Sequence, residues 1–68
     1  MGNKKGTRAF NRRQIHQAGK GLDTVMNYVI TVGAQYEQPA PEMYKGFCGV
    51  LQLLELTKKS LADLRDRM

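Results

Sequence analysis

Basic side chains are concentrated in the first twenty residues of the chain, where no acidic residue interrupts them. The whole chain carries a formal net charge of +5, and this segment supplies the excess. Lysine and arginine neutralise phosphates in contacts that are electrostatic and largely independent of base sequence. The segment therefore predicts an anionic partner, with nucleic acid as the first choice. The candidate anion-binding residues are Lys4, Lys5, Arg8, Arg12, Arg13, His16 and Lys20.

The spacing of these residues is as informative as their type. Arg12, His16 and Lys20 are four residues apart, which places them on one face of a helix. Arg12 and Arg13 fall in the first turn of the helix expected there, where positive charge opposes the helix dipole. Charges that work against local stability indicate another purpose. The alternative is a solvated face that only keeps the protein soluble.

A lipid surface is a weaker alternative for the anionic partner. The basic segment has few large apolar side chains besides Phe10 and Ile15, so peripheral binding to an anionic membrane would be shallow. The most apolar stretch, residues 47–54, is much shorter than the ~20 residues that cross a bilayer. Integral membrane insertion is therefore not expected.

The remaining reactive side chains do not form a recognisable catalytic or metal site. His16 has no nucleophile or carboxylate nearby in sequence, and Cys48 lies in apolar surroundings that favour a packed thiol. One histidine and one cysteine cannot supply the usual ligands of structural zinc. We therefore expect a protein that is not an enzyme and has no metal or cofactor. A single cysteine also favours a reducing, cytoplasmic compartment.

Local signals in the sequence predict an all-α protein built as an antiparallel two-helix hairpin. Residues 1–9 are expected to form a basic flexible arm, and residues 10–68 the hairpin. Asn11 is a good N-cap and Gln14 completes a capping box, so helix 1 is expected over about 11–38. The turn is expected at 39–40, and Pro41 suits the start of helix 2 over about 41–67. A kink or break at Gly19–Gly21 is the alternative to a continuous helix 1.

Apolar residues recur in alternating steps of three and four, the pattern of helices packed lengthwise. Facing residues such as Val32 and Phe47, or Val25 and Leu54, then have numbers with a constant sum of 79. The two predicted stripes are Ile15, Ala18, Leu22, Val25, Val29, Val32 and Tyr36, and Met43, Phe47, Val50, Leu54, Thr57, Leu61, Leu64 and Met68.

The chain has more apolar residues than one hairpin can bury, which predicts a homo-oligomer, with a dimer completing a four-helix bundle. The alternative function is a protein–protein interaction module that uses apolar helix faces, such as a small inhibitor, adaptor or assembly component of the kind phages encode. The residues expected at the oligomer interface are Met26, Ile30, Tyr44, Cys48, Leu51, Leu53 and Leu56.

Overall fold

The fold is an antiparallel hairpin of two long helices. The computed structural model describes the backbone of residues 4–68 and the side chains from Thr7 onward. Helix α1 comprises Lys4–Ala34 and helix α2 comprises Pro41–Arg67, and the two pack against each other. The molecule measures 59 × 16 × 13 Å, so it is a rod two helices wide.

Helix α1 begins at Lys4, whereas the sequence placed its start at Asn11. Residues 4–9 of the expected arm are therefore helical, and residues 1–3 lie outside the described part. Lysine, arginine and alanine are good helix formers, and no proline precedes Pro39, so nothing local stops the helix at Asn11. The helix continues through Gly19 and Gly21, and the expected alternative of a break there is absent.

Helix α1 also ends earlier than expected, at Ala34 and not near Gln38. The next three residues form tighter turns, because their N–H groups donate to carbonyls three residues back at 3.1, 2.9 and 3.4 Å. Pro39 disfavours the α conformation at Gln38, so the helix does not resume before the turn. Helix α2 then begins at Pro41, with Glu42 in its first turn and Arg65 and Arg67 in its last.

The seam between the helices differs from the predicted one by a small rotation of each helix. Gly33 faces Phe47 directly, and the other inward positions follow with a constant sum of 80, so the predicted sum of 79 is wrong by one. Half of the predicted stripe residues lie outside the seam, and the residue that follows each of them along the chain lies in the seam instead. The residues outside the seam are Ala18, Val25, Val32, Met43, Val50, Thr57 and Leu64. The seam consists of Ile15, Gly19, Leu22, Met26, Val29, Gly33 and Tyr36 facing Tyr44, Phe47, Leu51, Leu54, Lys58, Leu61 and Arg65.

Close contact near the turn accounts for this rotation. A Cβ atom added to Gly33 would lie 3.0 Å from the Cβ of Phe47, which is closer than most Cβ contacts, so the glycine favours the close approach of the helices here. The Phe47 ring stacks on Tyr36 with a centroid distance of 5.7 Å. Gly33 is the single buried residue among residues 7–68, and no apolar side chain in that range is fully shielded from solvent.

Candidate nucleic-acid interface

The end of the hairpin away from the turn is a single helix. In the observed register Arg12 faces Met68, so residues 4–11 of α1 extend beyond α2 by about 12 Å. Arg8 is exposed on this extension. Lys4 and Lys5 belong to its first turn, and their side chains lie outside the described part of the structure. Three of the seven candidate residues therefore occupy a projection that is one helix thick.

The other four candidates follow directly along α1. Arg12, Arg13, His16 and Lys20 are all exposed. His16 and Lys20 line a groove between the helices, to which α2 contributes Arg65. The structure thus brings the predicted basic residues together over about five turns at one end of the molecule.

Arg65 is a member of this basic end that the sequence analysis did not include. Its Nη1 donates a hydrogen bond to Nδ1 of His16 at 3.2 Å, and an arginine can only donate, so Nδ1 is the acceptor. The predicted pairing of Ile15 with Leu64 was the available signal, because it already placed Arg65 beside His16. Arg65, which also forms an ion pair with Asp66, therefore lies at the candidate interface beside His16.

The ion pairs of the described residues leave the basic end largely uncompensated. They join Lys45 to Glu42, Lys58 to Asp23, Arg65 to Asp66, and Arg67 to Asp63. Arg8, Arg12, Arg13 and Lys20 take part in none of these pairs. Helix α1 has no acid in its first turn and none before Asp23. Neighbouring positive side chains repel one another, and near a helix N-terminus they also oppose the positive end of the helix dipole. A bound anion would relieve both unfavourable interactions.

The residues expected at an oligomer interface divide into two groups. Met26, Tyr44 and Leu51 lie half-buried in the seam of the hairpin itself, and their expected place between subunits stays a prediction. The other four do not share one surface. Ile30 and the half-buried Cys48 border a groove near the turn, whereas Leu53 and Leu56 are exposed on α2.

Cys48 lies one helical turn after Tyr44, and the two side chains interact. A hydrogen bond with Cys48 raises the pKa of the Tyr44 hydroxyl above its ordinary value, and the nearby charge of Glu37 raises it further. No basic group lines the groove that Cys48 borders within the described part of the chain. Residues 7–68 also contain no cluster of three or more histidine, cysteine or acidic side chains that could hold a metal ion.

Comparison with known proteins adds no family. No protein-family model matches the chain, and no curated protein or solved structure matches it significantly. In the part of the chain that the structure describes, neither helix has the length and apolar character needed to cross a membrane. Function must therefore be inferred from the geometry and charge of the hairpin.

Proposed function

We propose that this protein is a non-catalytic, cytoplasmic homo-oligomer that binds nucleic acid through the basic single-helix end of its hairpin. The observation that carries the proposal is the charge pattern of α1. Arg8, Arg12, Arg13 and Lys20 follow one another with no acidic partner among the described residues, and no acid precedes Asp23. Such an arrangement is unfavourable for an isolated helix and favourable for one that meets phosphates.

The size of the projecting helix supports the same proposal. An α-helix with its side chains is about 10–12 Å across, and the major groove of B-DNA is about 12 Å wide. The hairpin itself measures 16 × 13 Å in cross-section, so only the extension before Arg12 has the width of the groove. On this proposal Arg8 enters the groove and Arg12, Arg13 and Lys20 contact phosphates at its edge.

Phosphate contacts of this kind depend strongly on salt. Each neutralised phosphate releases condensed counterions, and the logarithm of affinity falls with the logarithm of salt with a slope of about −0.9 per contact. Four cations per subunit therefore predict a slope of about −3.6 and roughly a hundredfold loss of affinity between 50 and 200 mM salt. A dimer that engages both ends would show a steeper slope.

The test compares two double variants that remove the same charge. Arg12→Gln with Arg13→Gln removes two cations from the basic end, and Lys45→Gln with Lys59→Gln removes two from α2. We expect the first pair to weaken binding to a labelled DNA duplex about tenfold or more and to reduce the salt slope by about two units. The control pair is expected to change affinity less than about twofold, because distant charges are screened beyond the ~8–10 Å Debye length.

Fluorescence anisotropy across a salt series measures both quantities, and circular dichroism checks that each variant stays helical. Equal losses in the two pairs would attribute binding to net charge alone and contradict a defined site. Binding that does not respond to salt would exclude the proposed phosphate contacts. A single-stranded RNA and a single-stranded DNA probe in the same series identify which nucleic acid is preferred.

A protein partner is the second candidate, and one surface favours it. Met26, Leu56 and Ala62 line an open groove of the hairpin, with Glu55 and Lys59 beside them. An amphipathic helix with basic and acidic flanks would fit such a surface. Binding of nucleic acid that survives Leu56→Glu separates this groove from the basic end.

A further inference from the structure

One half of the predicted apolar stripes remains uncovered by the hairpin. These residues recur at intervals of seven on each helix, and their large members are 42–52% exposed. Seven-residue spacing keeps them on one face of each helix. We call them the apolar face: Ala18, Val25 and Val32 on α1, and Met43, Val50, Thr57 and Leu64 on α2.

The two halves of the apolar face lie on the same side of the hairpin. On α1 each face residue directly precedes a seam residue, as Val25 precedes Met26. The same holds on α2, where Val50 precedes Leu51. One step back along an α-helix is the same rotation about the helix axis in both helices. Because the two helices run in opposite directions, that step leads to the same side of the plane that contains both helix axes. His16, Asp23 and other residues that follow a seam position line the groove on the opposite side.

The apolar face carries no ionisable group. The residues that flank it one turn away are uncharged except Arg67 at the end of α2, and they are Gln14, Gly21, Tyr28 and Gln35 on α1 and Gly46, Leu53, Ser60 and Arg67 on α2. Apart from Arg67 and the phenol of Tyr28, the ionisable side chains from Arg8 onward lie in the seam, on the side of His16 and Asp23, or at the back of a helix. A face without charge from Met43 to Leu64 is unusual in a chain of which 25% of the residues are charged.

We propose that the apolar face binds the same face of a second copy of this chain, so that two hairpins form a four-helix bundle. The inference rests on the homo-oligomer of the proposed function and specifies its surface. A two-fold interface places a patch against itself, which an uncharged face permits and a charged one opposes. The seam residues and the apolar face of both hairpins would then share one core, as in known four-helix bundles.

The size of the face is sufficient for a stable dimer. Helix α2 is about 40 Å long, and the hairpin is 16 Å wide, which corresponds to roughly 650 Å² of projected area per copy. Standard interfaces bury about 800 Å² of accessible surface per partner, and accessible area exceeds projected area on a corrugated surface. The lack of any fully buried apolar side chain within one hairpin gives this burial its driving force.

The first experiment compares charges placed on and off the face. Val50→Glu lies on the apolar face, and Leu56→Glu lies on the same helix but away from it. Both side chains are exposed in one hairpin, at 43% and 61%. Analytical ultracentrifugation should show a dimer for the wild type and the Leu56 variant, and an at least tenfold higher dissociation constant for the Val50 variant. The reverse order would assign the interface to Leu56 and overturn the proposal, as would a wild-type monomer at high micromolar concentration.

A second variant pair keeps the test decisive if the Val50 variant unfolds. Thr57 is the polar member of the apolar face, and its hydroxyl bonds only to the carbonyl of Leu53 in its own helix. Thr57→Leu is expected to tighten the dimer roughly tenfold, because a leucine would be buried between the copies. Gln52→Leu, on the opposite side of the same helix where Gln52 lines a groove with Glu55 and Lys59, should leave the dissociation constant within about twofold. Equal effects of the two substitutions would overturn the proposal.

These measurements contain no nucleic acid, so their outcome is independent of the basic end. A dimer through the apolar face with no affinity for nucleic acid would leave this inference standing and remove the proposed ligand. If the protein binds nucleic acid but substitutions at Val50 and Thr57 do not change its self-association, the proposed ligand would stand and the apolar-face dimer would be excluded.

Discussion

The two ends of the hairpin differ in how closely the helices pack and in the charge they carry. At the turn, Gly33 and Phe47 bring the helices into contact, and Tyr36 stacks on the Phe47 ring. At the open end, Ile15 is the last apolar seam residue, and its facing position is the basic Arg65. Packing therefore holds the turn end together, whereas the open end accumulates positive charge that packing does not offset.

On the proposed function, this difference separates the part of the chain that stabilises the hairpin from the part that binds nucleic acid. A cluster of cations costs stability wherever it lies, and it costs least where few apolar contacts depend on it. Placing it at the single-helix end of the rod leaves the closest packing undisturbed. The comparison can be tested by changing side chains at each end and measuring the free energy of unfolding at one fixed protein concentration, because dimer stability depends on concentration.

The largest expected effect is at the turn end. Phe47→Ala removes the ring that contacts Gly33 and Tyr36, and we expect a loss of about 2–3 kcal/mol, below the full cost for a completely buried ring. Ile15→Ala, at the open end, removes a half-buried side chain with fewer neighbours and should cost about 1 kcal/mol. Urea denaturation followed by circular dichroism measures both. An equal or larger cost at Ile15 would contradict the view that packing is concentrated at the turn.

Two glycine substitutions are expected to change the free energy of unfolding in opposite directions. Gly33→Val places methyl groups against the Phe47 Cβ, which cannot rotate away, and should destabilise the hairpin by about 1–2 kcal/mol. Gly49 has open space around it, so Gly49→Ala should stabilise α2 by about 1 kcal/mol through helix propensity alone. Thermal unfolding should move in opposite directions for the two variants. A stabilising Gly33→Val would show that close approach at the turn is not required.

The smallest effect concerns alkaline pH near the turn. The hydrogen bond with Cys48 raises the pKa of Tyr44 in the folded chain, so the fold favours the protonated hydroxyl. Its contribution to stability is complete below the unfolded pKa of about 10 and is lost as pH rises through the folded value. Cys48→Ala should lower the pKa of Tyr44, as measured by ultraviolet titration of tyrosinate against Tyr44→Phe. An unchanged Tyr44 titration in Cys48→Ala would exclude this hydrogen bond.

The sequence by itself determined the two helices, their antiparallel order and the turn between them. Apolar periodicity and the prolines at 39 and 41 are local features, and they act on the backbone whatever the tertiary packing. The charge asymmetry of the basic end could also be predicted from the sequence. The start of α1 could not be predicted, because a good cap at Asn11 makes a start there favourable but does not prevent the helix from beginning earlier.

Only the tertiary structure decided which apolar residues face inward. Each helix has adjacent apolar residues, so its apolar stripe is wider than one seam. A small rotation of the helix can therefore replace Val25 by Met26, or Val50 by Leu51, in the seam and still keep apolar residues facing inward. The contact of Gly33 with Phe47 fits the observed rotation, because the missing side chain at Gly33 leaves room for the Phe47 ring. That choice turns half of each stripe outward, and the apolar face is a consequence of packing that periodicity alone could not specify.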